Sequence, residues 1–184
     1  QGIFVVDLDR STGEMKVLSS VGGMRNPIFH VLSPDQKFLY ACCETPQPDG
    51  KTRGAVAAFS IDPKTYALTK INEQPAHGRV PCHMSIDATG KMLLIANYSS
   101  GNVATYPLGD DGSLGIAGTV VNHEGSGPDK RRQDRAYAHS ITVDPDNRYA
   151  FAADLGADMV FGYVLRPKEG TMGVHAAGDI ETPA

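Results

Sequence analysis

Three segments of this 184-residue chain share one pattern, and a repeat of that length limits the fold more than any other feature. They are HVLSPDQKFLYACCE (30–44), HMSIDATGKMLLIAN (83–97) and HSITVDPDNRYAFAAD (139–154). Each opens on a histidine (His30, His83, His139), alternates apolar and polar residues, makes a polar turn and enters a mostly apolar run. The turns start at Ser33, Asp87 and Asp144, spaced 54 and 57 residues. A second pattern interleaves with the first: IFVVDLDRSTGEM, VAAFSIDPKTYAL, VATYPLGDDGSL and VFGYVLRPKEGTM. Each of these alternates up to an aliphatic residue (Leu8, Ile61, Leu108, Leu165), then turns on charged or glycine residues into a weaker strand. One unit is therefore four short strands, A to D, in about 50 residues.

Period-2 alternation punctuated by Asp-Gly and Pro-Asp turns argues for strands over helices. Four-stranded units at this period predict an all-β chain, a β-propeller whose strand A lines the axis and whose strand D lies outermost. The pattern places strands C and D of one blade at 3–20, within a half blade at 1–27. Full blades follow at about 28–73, 81–122 and 137–182, so that 1–184 forms one partial propeller of about three and a half blades. A half ring leaves apolar faces unpaired at both ends. The expectation is a ring of seven blades, roughly 350 residues at this repeat length, with the remainder supplied by sequence outside this chain.

A formal charge of −4 argues against nucleic acid or an anionic membrane as partner. No apolar run approaches the ~18 residues of a membrane helix. Gln1 leads directly into IFVV, so the chain reads as beginning inside a strand, and an upstream targeting segment is compatible with it. Cys42, Cys43 and Cys82 are odd in number and lack Cys-x-x-Cys spacing. They read as reduced, mostly buried thiols of a cytoplasmic protein.

Strand order alone puts the start of A, the end of B, and the D-to-A and B-to-C loops on one face. His30, His83 and His139 are thus expected beside Glu44, Asn97 and Asp154. The stretch NHEGSGPDKRRQDRAYAH (122–139) is a D-to-A connection on the same face. It carries His123, Glu124 and a Gly-Ser-Gly-Pro turn, and Lys130, Arg131, Arg132 and Arg135 offset only Asp129 and Asp134. The plain structural alternative is that the recurrent histidines brace neighbouring backbones and that the charge run is solvated. Unlike residues at the shared position (Glu44, Asn97, Asp154) argue instead for a site. Arginine forks suit carboxylate or phosphate, and a neutral imidazole can activate water. Together they fit an anionic ester or lactone. No Gly-rich nucleotide loop, Gly-x-Ser-x-Gly elbow or zinc spacing is present. His123 and His139, 16 residues apart, make at most a weak metal pair, so neither metal nor cofactor is expected.

Several stretches carry a family resemblance: GAVAAFSIDPKTYAL (54–68), VPCHMSIDATGKMLLIANYSSGNVATYPL (80–108), HEGSGPDKRRQDRAYAHSITVDPDNR (123–148) and ADLGAD (153–158). The chain resembles the seven-bladed propeller lactonase family, which includes the propeller-type bacterial 6-phosphogluconolactonases. That family is related to fungal 3-carboxy-cis,cis-muconate lactonizing enzyme. The resemblance implies hydrolysis of a sugar-acid lactone, most simply 6-phosphogluconolactone to 6-phosphogluconate, in a cleft on the D-A/B-C loop face. It implies His83 and His139 as catalytic imidazoles, with Glu124 or Asp154 orienting an imidazole or the water. Arg131, Arg132 and Gln133, with Asn97 and Glu44, would bind substrate. A Gly-Pro-Arg-His motif is expected in a later blade. A cycloisomerase acting on a carboxylated muconate, or a non-enzymatic propeller binding a ligand or protein, are the alternatives.

Overall fold

A computed structural model describes residues 2–46, 52–175 and 178–182, leaving the first B-to-C loop at 47–51 outside the described residues. β1 (Ile3–Leu8) and β2 (Met15–Val21) form an antiparallel pair. β3 (Arg25–Leu32), β4 (Phe38–Pro46), β5 (Thr52–Ile61) and β6 (Leu68–Pro75) form a four-stranded meander. β7 (Pro81–Ile86), β8 (Met92–Asn97), β9 (Asn102–Pro107) and β10 (Thr119–Asn122) repeat it. So do β11 (Ala138–Val143), β12 (Tyr149–Asp154), β13 (Met159–Arg166) and β14 (Thr171–Val174), with β15 (Ile180–Glu181) added on β13. A 3-10 turn at Pro167–Glu169 is the single helical element among the described residues. β7 packs between β3 and β11, which is the radial order of propeller blades around an axis.

Alternation decides which side chain enters which core, because successive residues of a strand point to opposite faces. Leu93 and Ile95 of β8 pack with Tyr40, Cys42, Val56 and Met84 towards the first meander. Leu94 and Ala96 of the same strand pack with Ile141, Ala150, Ala152 and Tyr163 towards the third. A strand covered on both faces loses its polar positions, and β8 is buried along its whole length. Cys42 and Cys43 are buried as well, and Cys82 is half-buried. Burial pushes Cys42 up to about 12 and Cys43 and Cys82 up to about 11, so all three are poor nucleophiles at neutral pH.

The A-to-B turns close alike: Ser33, Asp87 and Asp144 each donate a backbone N–H across the hairpin to Phe38, Met92 and Tyr149. The Asp87 carboxylate accepts the N–H groups of Thr89, Lys91 and Met92. Asn147, from the next blade's turn, donates to Asp87 at 3.1 Å and accepts the N–H of Ala88 at 2.7 Å.

That shared turn corrects one expectation. β3 begins at Arg25, so His30 lies late in the strand, opposite Ala41, while Glu44 lies opposite Arg25. His30 stands three residues before Ser33, whereas His83 stands four before Asp87. A one-residue offset reverses the face. Phe29, not His30, takes the position of His83, and His30 instead lines a 620 Å³ cavity with Ile3, Phe4 and Leu32.

Candidate active site

The D-to-A and B-to-C loops are laced together by main-chain bonds. Tyr98 and Ser99 donate to Val80 and Arg79, His123 to Gly101, and Leu155 to Tyr137. Close approach demands glycine in two places. A Cβ on Gly101 (φ +59°) would lie 2.5 Å from the Ala136 carbonyl oxygen, and one on Gly156 would overlap the Arg135 carbonyl. Val80 holds φ 54°, a left-handed conformation that a β-branched residue adopts only under constraint. Its carbonyl accepts Tyr98 N–H at 2.9 Å, which is part of that constraint.

His83 and His139 lie at the bulges of β7 and β11, between Pro81 and His83 and between Ala138 and Ser140, but not at matching positions. Counted from the turns, Ser140 takes the place of His83, and His139 is the bulged residue that corresponds to Cys82. A bulge re-aims the side chain at its site. The His83 ring is half-buried, 4.6 Å from the Phe29 ring, and its Nδ1 accepts the N–H of Ile141 at 3.3 Å. With Nδ1 occupied as an acceptor, the neutral ring carries its proton on Nε2 and presents an N–H donor. Burial lowers the His83 pKa, and nearby His139 adds to the effect, which keeps this imidazole neutral. The His139 ring is exposed and meets Tyr98 edge-on at 5.4 Å. It borders a 340 Å³ cavity with Ser140, Leu155, Asp158 and Met159.

Asp154 is buried, and its hydrogen bonds run to neither of those histidines. Its Oδ2 lies 2.7 Å from Nδ1 of His123, and its Oδ1 accepts the N–H groups of Tyr137, Gly156 and Ala157 at 2.6–3.0 Å. Burial opposes the charge, but the bonds from His123, Ala157 and Tyr137 outweigh it and hold the carboxyl below its ordinary pKa. Nε2 of His123 lies 2.7 Å from the Tyr163 hydroxyl, and Phe161 stacks on the ring at 3.9 Å. A ring that donates from Nδ1 to Asp154 and accepts at Nε2 from Tyr163 satisfies every member of the chain. The sequence flagged His123 only as a poor metal candidate; its structural partner Tyr163 carried no signal at all.

Gln133 is likewise occupied. Its Nε2 donates to the Leu155 carbonyl at 2.9 Å and to Asp158 at 3.2 Å, and its Oε1 accepts Asp129 N–H at 3.0 Å. Arg131 is 93% exposed, 3.7 Å from Asp129. Arg132 and Glu124 are exposed. Asn97 is fully buried: its Nδ2 donates to the Ala76 carbonyl, and its Oδ1 has no hydrogen-bond partner among the described residues. Glu44 accepts from Asn26 at 2.8 Å. Of the residues proposed from sequence, then, His83 and His139 lie near enough for their charges to interact. Asp154, Gln133 and Asn97 have polar atoms turned into the scaffold, while Glu44 bonds Asn26 at the surface.

Sequence reasoning missed Tyr98 and Tyr137, which stack at 5.0 Å beside His139. Among the described residues no group of three histidine, cysteine or carboxylate side chains is arranged to hold a metal, and no helix is long and apolar enough to cross a membrane.

Comparison with known proteins agrees with this architecture. The family model described as lactonase, 7-bladed beta-propeller, matches residues 1–183. A 6-phosphogluconolactonase of Formosa agariphila is 36% identical over 159 residues, which are 86% of this chain and 44% of that protein. The 6-phosphogluconolactonase of Bacillus subtilis is 34% identical, over 90% of this chain and 46% of its own length. The structure of a periplasmic gluconolactonase from Pseudomonas aeruginosa superimposes with a TM-score of 0.88 at 32% identity, covering 98% of this chain and 51% of that one. The chain thus spans about half the length of the relatives it matches.

Proposed function

The chain belongs to the seven-bladed β-propeller lactonase family, and from that premise we propose that the full-length protein hydrolyses a sugar-acid lactone on the D-A/B-C loop face, with 6-phosphogluconolactone as the first substrate to try. The observation that carries the reading is the presence of two unlike imidazoles near enough for their charges to interact: His83, half-buried with an N–H donor left on Nε2, and His139, exposed. In this reading His139 takes a proton from water as the water oxygen attacks the lactone carbonyl. His83 donates towards the oxygen on which charge develops. The ring C–O bond then breaks as the proton passes from His139 to the departing ring oxygen, leaving a hydroxyl and a carboxylic acid that releases its remaining proton to solvent as the carboxylate forms. Arg131 and Arg132 contribute positive charge that attracts the anionic substrate, and Glu124 is free to orient the water.

The relatives' names support the substrate class. The three unpaired cysteines fit a reducing, cytoplasmic setting; the periplasmic Pseudomonas relative marks the other outcome, which cell fractionation distinguishes. The functional test is lactone hydrolysis by the full-length protein and by its His83→Ala and His139→Ala variants. A loss of roughly 10²–10⁴-fold in kcat is expected for each. Less than tenfold in both, in variants that remain folded, refutes this assignment.

A further inference from the structure

Four side chains on the loop face form a continuous ladder. The Arg135 guanidinium lies over the Tyr137 ring at 5.0 Å. Tyr137 stacks on Tyr98 at 5.0 Å and 30°, and Tyr98 meets His139 at 5.4 Å and 83°. The ladder crosses blades, since Tyr98 follows β8 whereas Arg135, Tyr137 and His139 enter β11. Its members are tied at their polar ends as well. The Tyr137 hydroxyl donates to Asp134 at 2.8 Å, and Arg135 reaches the Ser99 carbonyl at 3.5 Å. The backbone beneath Arg135 is pinned by Gly156, where any larger residue would strike the Arg135 carbonyl.

Arg135 differs from the other cations of its loop in lying over an aromatic ring. Lys130 donates to the Gly127 carbonyl, and Arg131 faces Asp129. Neither Arg135 nor Arg132 has a carboxylate partner among the described residues, but of the two Arg135 is the one stacked on an aromatic ring. It is exposed, yet its plane is set by an aromatic face. An arginine held this way loses less freedom on meeting an anion than one on an open loop. The ladder also fixes it in relation to an imidazole of the proposed site.

We propose that Arg135 is a specificity-determining residue that docks the phosphate or carboxylate of the lactone, with Tyr137 and Tyr98 as positioning residues that hold it in fixed relation to His139. This rests on the lactonase reading above and adds to it the group that selects an anionic over a neutral substrate. Arg131 and Arg132 then act as diffuse positive charge, whereas Arg135 makes the directed contact.

The experiment is steady-state hydrolysis of 6-phosphogluconolactone and of unphosphorylated glucono-1,5-lactone by the full-length protein and its Arg135→Gln, Arg135→Lys and Tyr98→Leu variants. Arg135→Gln is expected to lower kcat/KM for the phosphorylated lactone roughly tenfold to a hundredfold more than for the neutral one, mainly through KM. Arg135→Lys should recover part of that difference, and Tyr98→Leu should reduce it while also lowering kcat. A change of equal size on both lactones, or no change, overturns the proposal. If the wild-type protein hydrolyses neither lactone, the lactonase reading fails, and calorimetric binding of 6-phosphogluconate then decides for Arg135. Binding that Arg135→Gln abolishes upholds the anion site; no binding, or binding indifferent to Arg135→Gln, rejects it.

Discussion

Asp154 shows how burial changes a residue's role. From sequence it is a carboxylate beside a histidine, ready to orient a catalytic group. In the fold it is a hub that satisfies three main-chain N–H groups and the buried ring of His123. Removing the shared acceptor leaves several buried donors unpaired. Asp154→Ala is thus expected to lose about 3 kcal/mol in chemical denaturation, whereas His139→Ala, at an exposed ring, should change stability by less than about 0.5 kcal/mol. The pH response follows from the same contacts. The Asp154 carboxyl titrates below its ordinary value, so its contribution is complete above that ordinary value of ~3.9 and is lost as pH falls through the lowered one. His83 is depressed in the same sense. Below about pH 6.5 the unfolded chain binds its proton first, and stability declines as pH falls. Urea midpoints between pH 7 and 5 should therefore flatten in His83→Gln, and the acid limb below pH 4 should flatten in Asp154→Asn.

At the scale of elements, the blades are joined by turns as much as by cores. Asn147 reaches from the β11–β12 turn to the β7–β8 turn and closes two hydrogen bonds, at φ 58°, where asparagine is tolerated far better than most residues. Asn147→Ala removes both bonds and strains the backbone, and a loss of about 2 kcal/mol is expected from denaturant unfolding. Asn147→Gly should lose less, because it keeps the conformation. On the opposite face, Gly156→Ala sets a methyl against the Arg135 carbonyl and the Tyr137 ring. Its expected signature is a displaced Tyr98–Tyr137 stack, read by near-ultraviolet circular dichroism, with the far-ultraviolet strand signal retained.

For the whole molecule the decisive feature is the unequal covering of its sheets. β7–β10 is packed on both faces, while β1 and β2 expose Phe4, Val6, Leu8, Met15 and Val17. Phe4 is 61% exposed and borders the 620 Å³ apolar cavity against β3. Apolar patches of this kind drive association. Prepared as these 184 residues alone, the chain is expected to bind a hydrophobic dye and to self-associate at micromolar concentration in sedimentation. Phe4→Lys with Val6→Lys should reduce both effects.

The sequence by itself determined the strands, their meander order and the blade repeat, because alternation, turn chemistry and period are local properties that survive without tertiary contacts. It also determined that the segment 122–139 joins an outer strand to an inner one. Only the tertiary structure decided which polar side chains reach solvent. His30 lost its place because a one-residue difference in its distance from the turn reversed its face. Asp154 and Gln133 turned inward because neighbouring loops supplied their partners. Tyr98 and Arg135, 37 residues apart in sequence, became part of one ladder because adjacent blades bring their loops together. Parity, burial and contacts between blades depend on distant residues, and no local pattern encodes them.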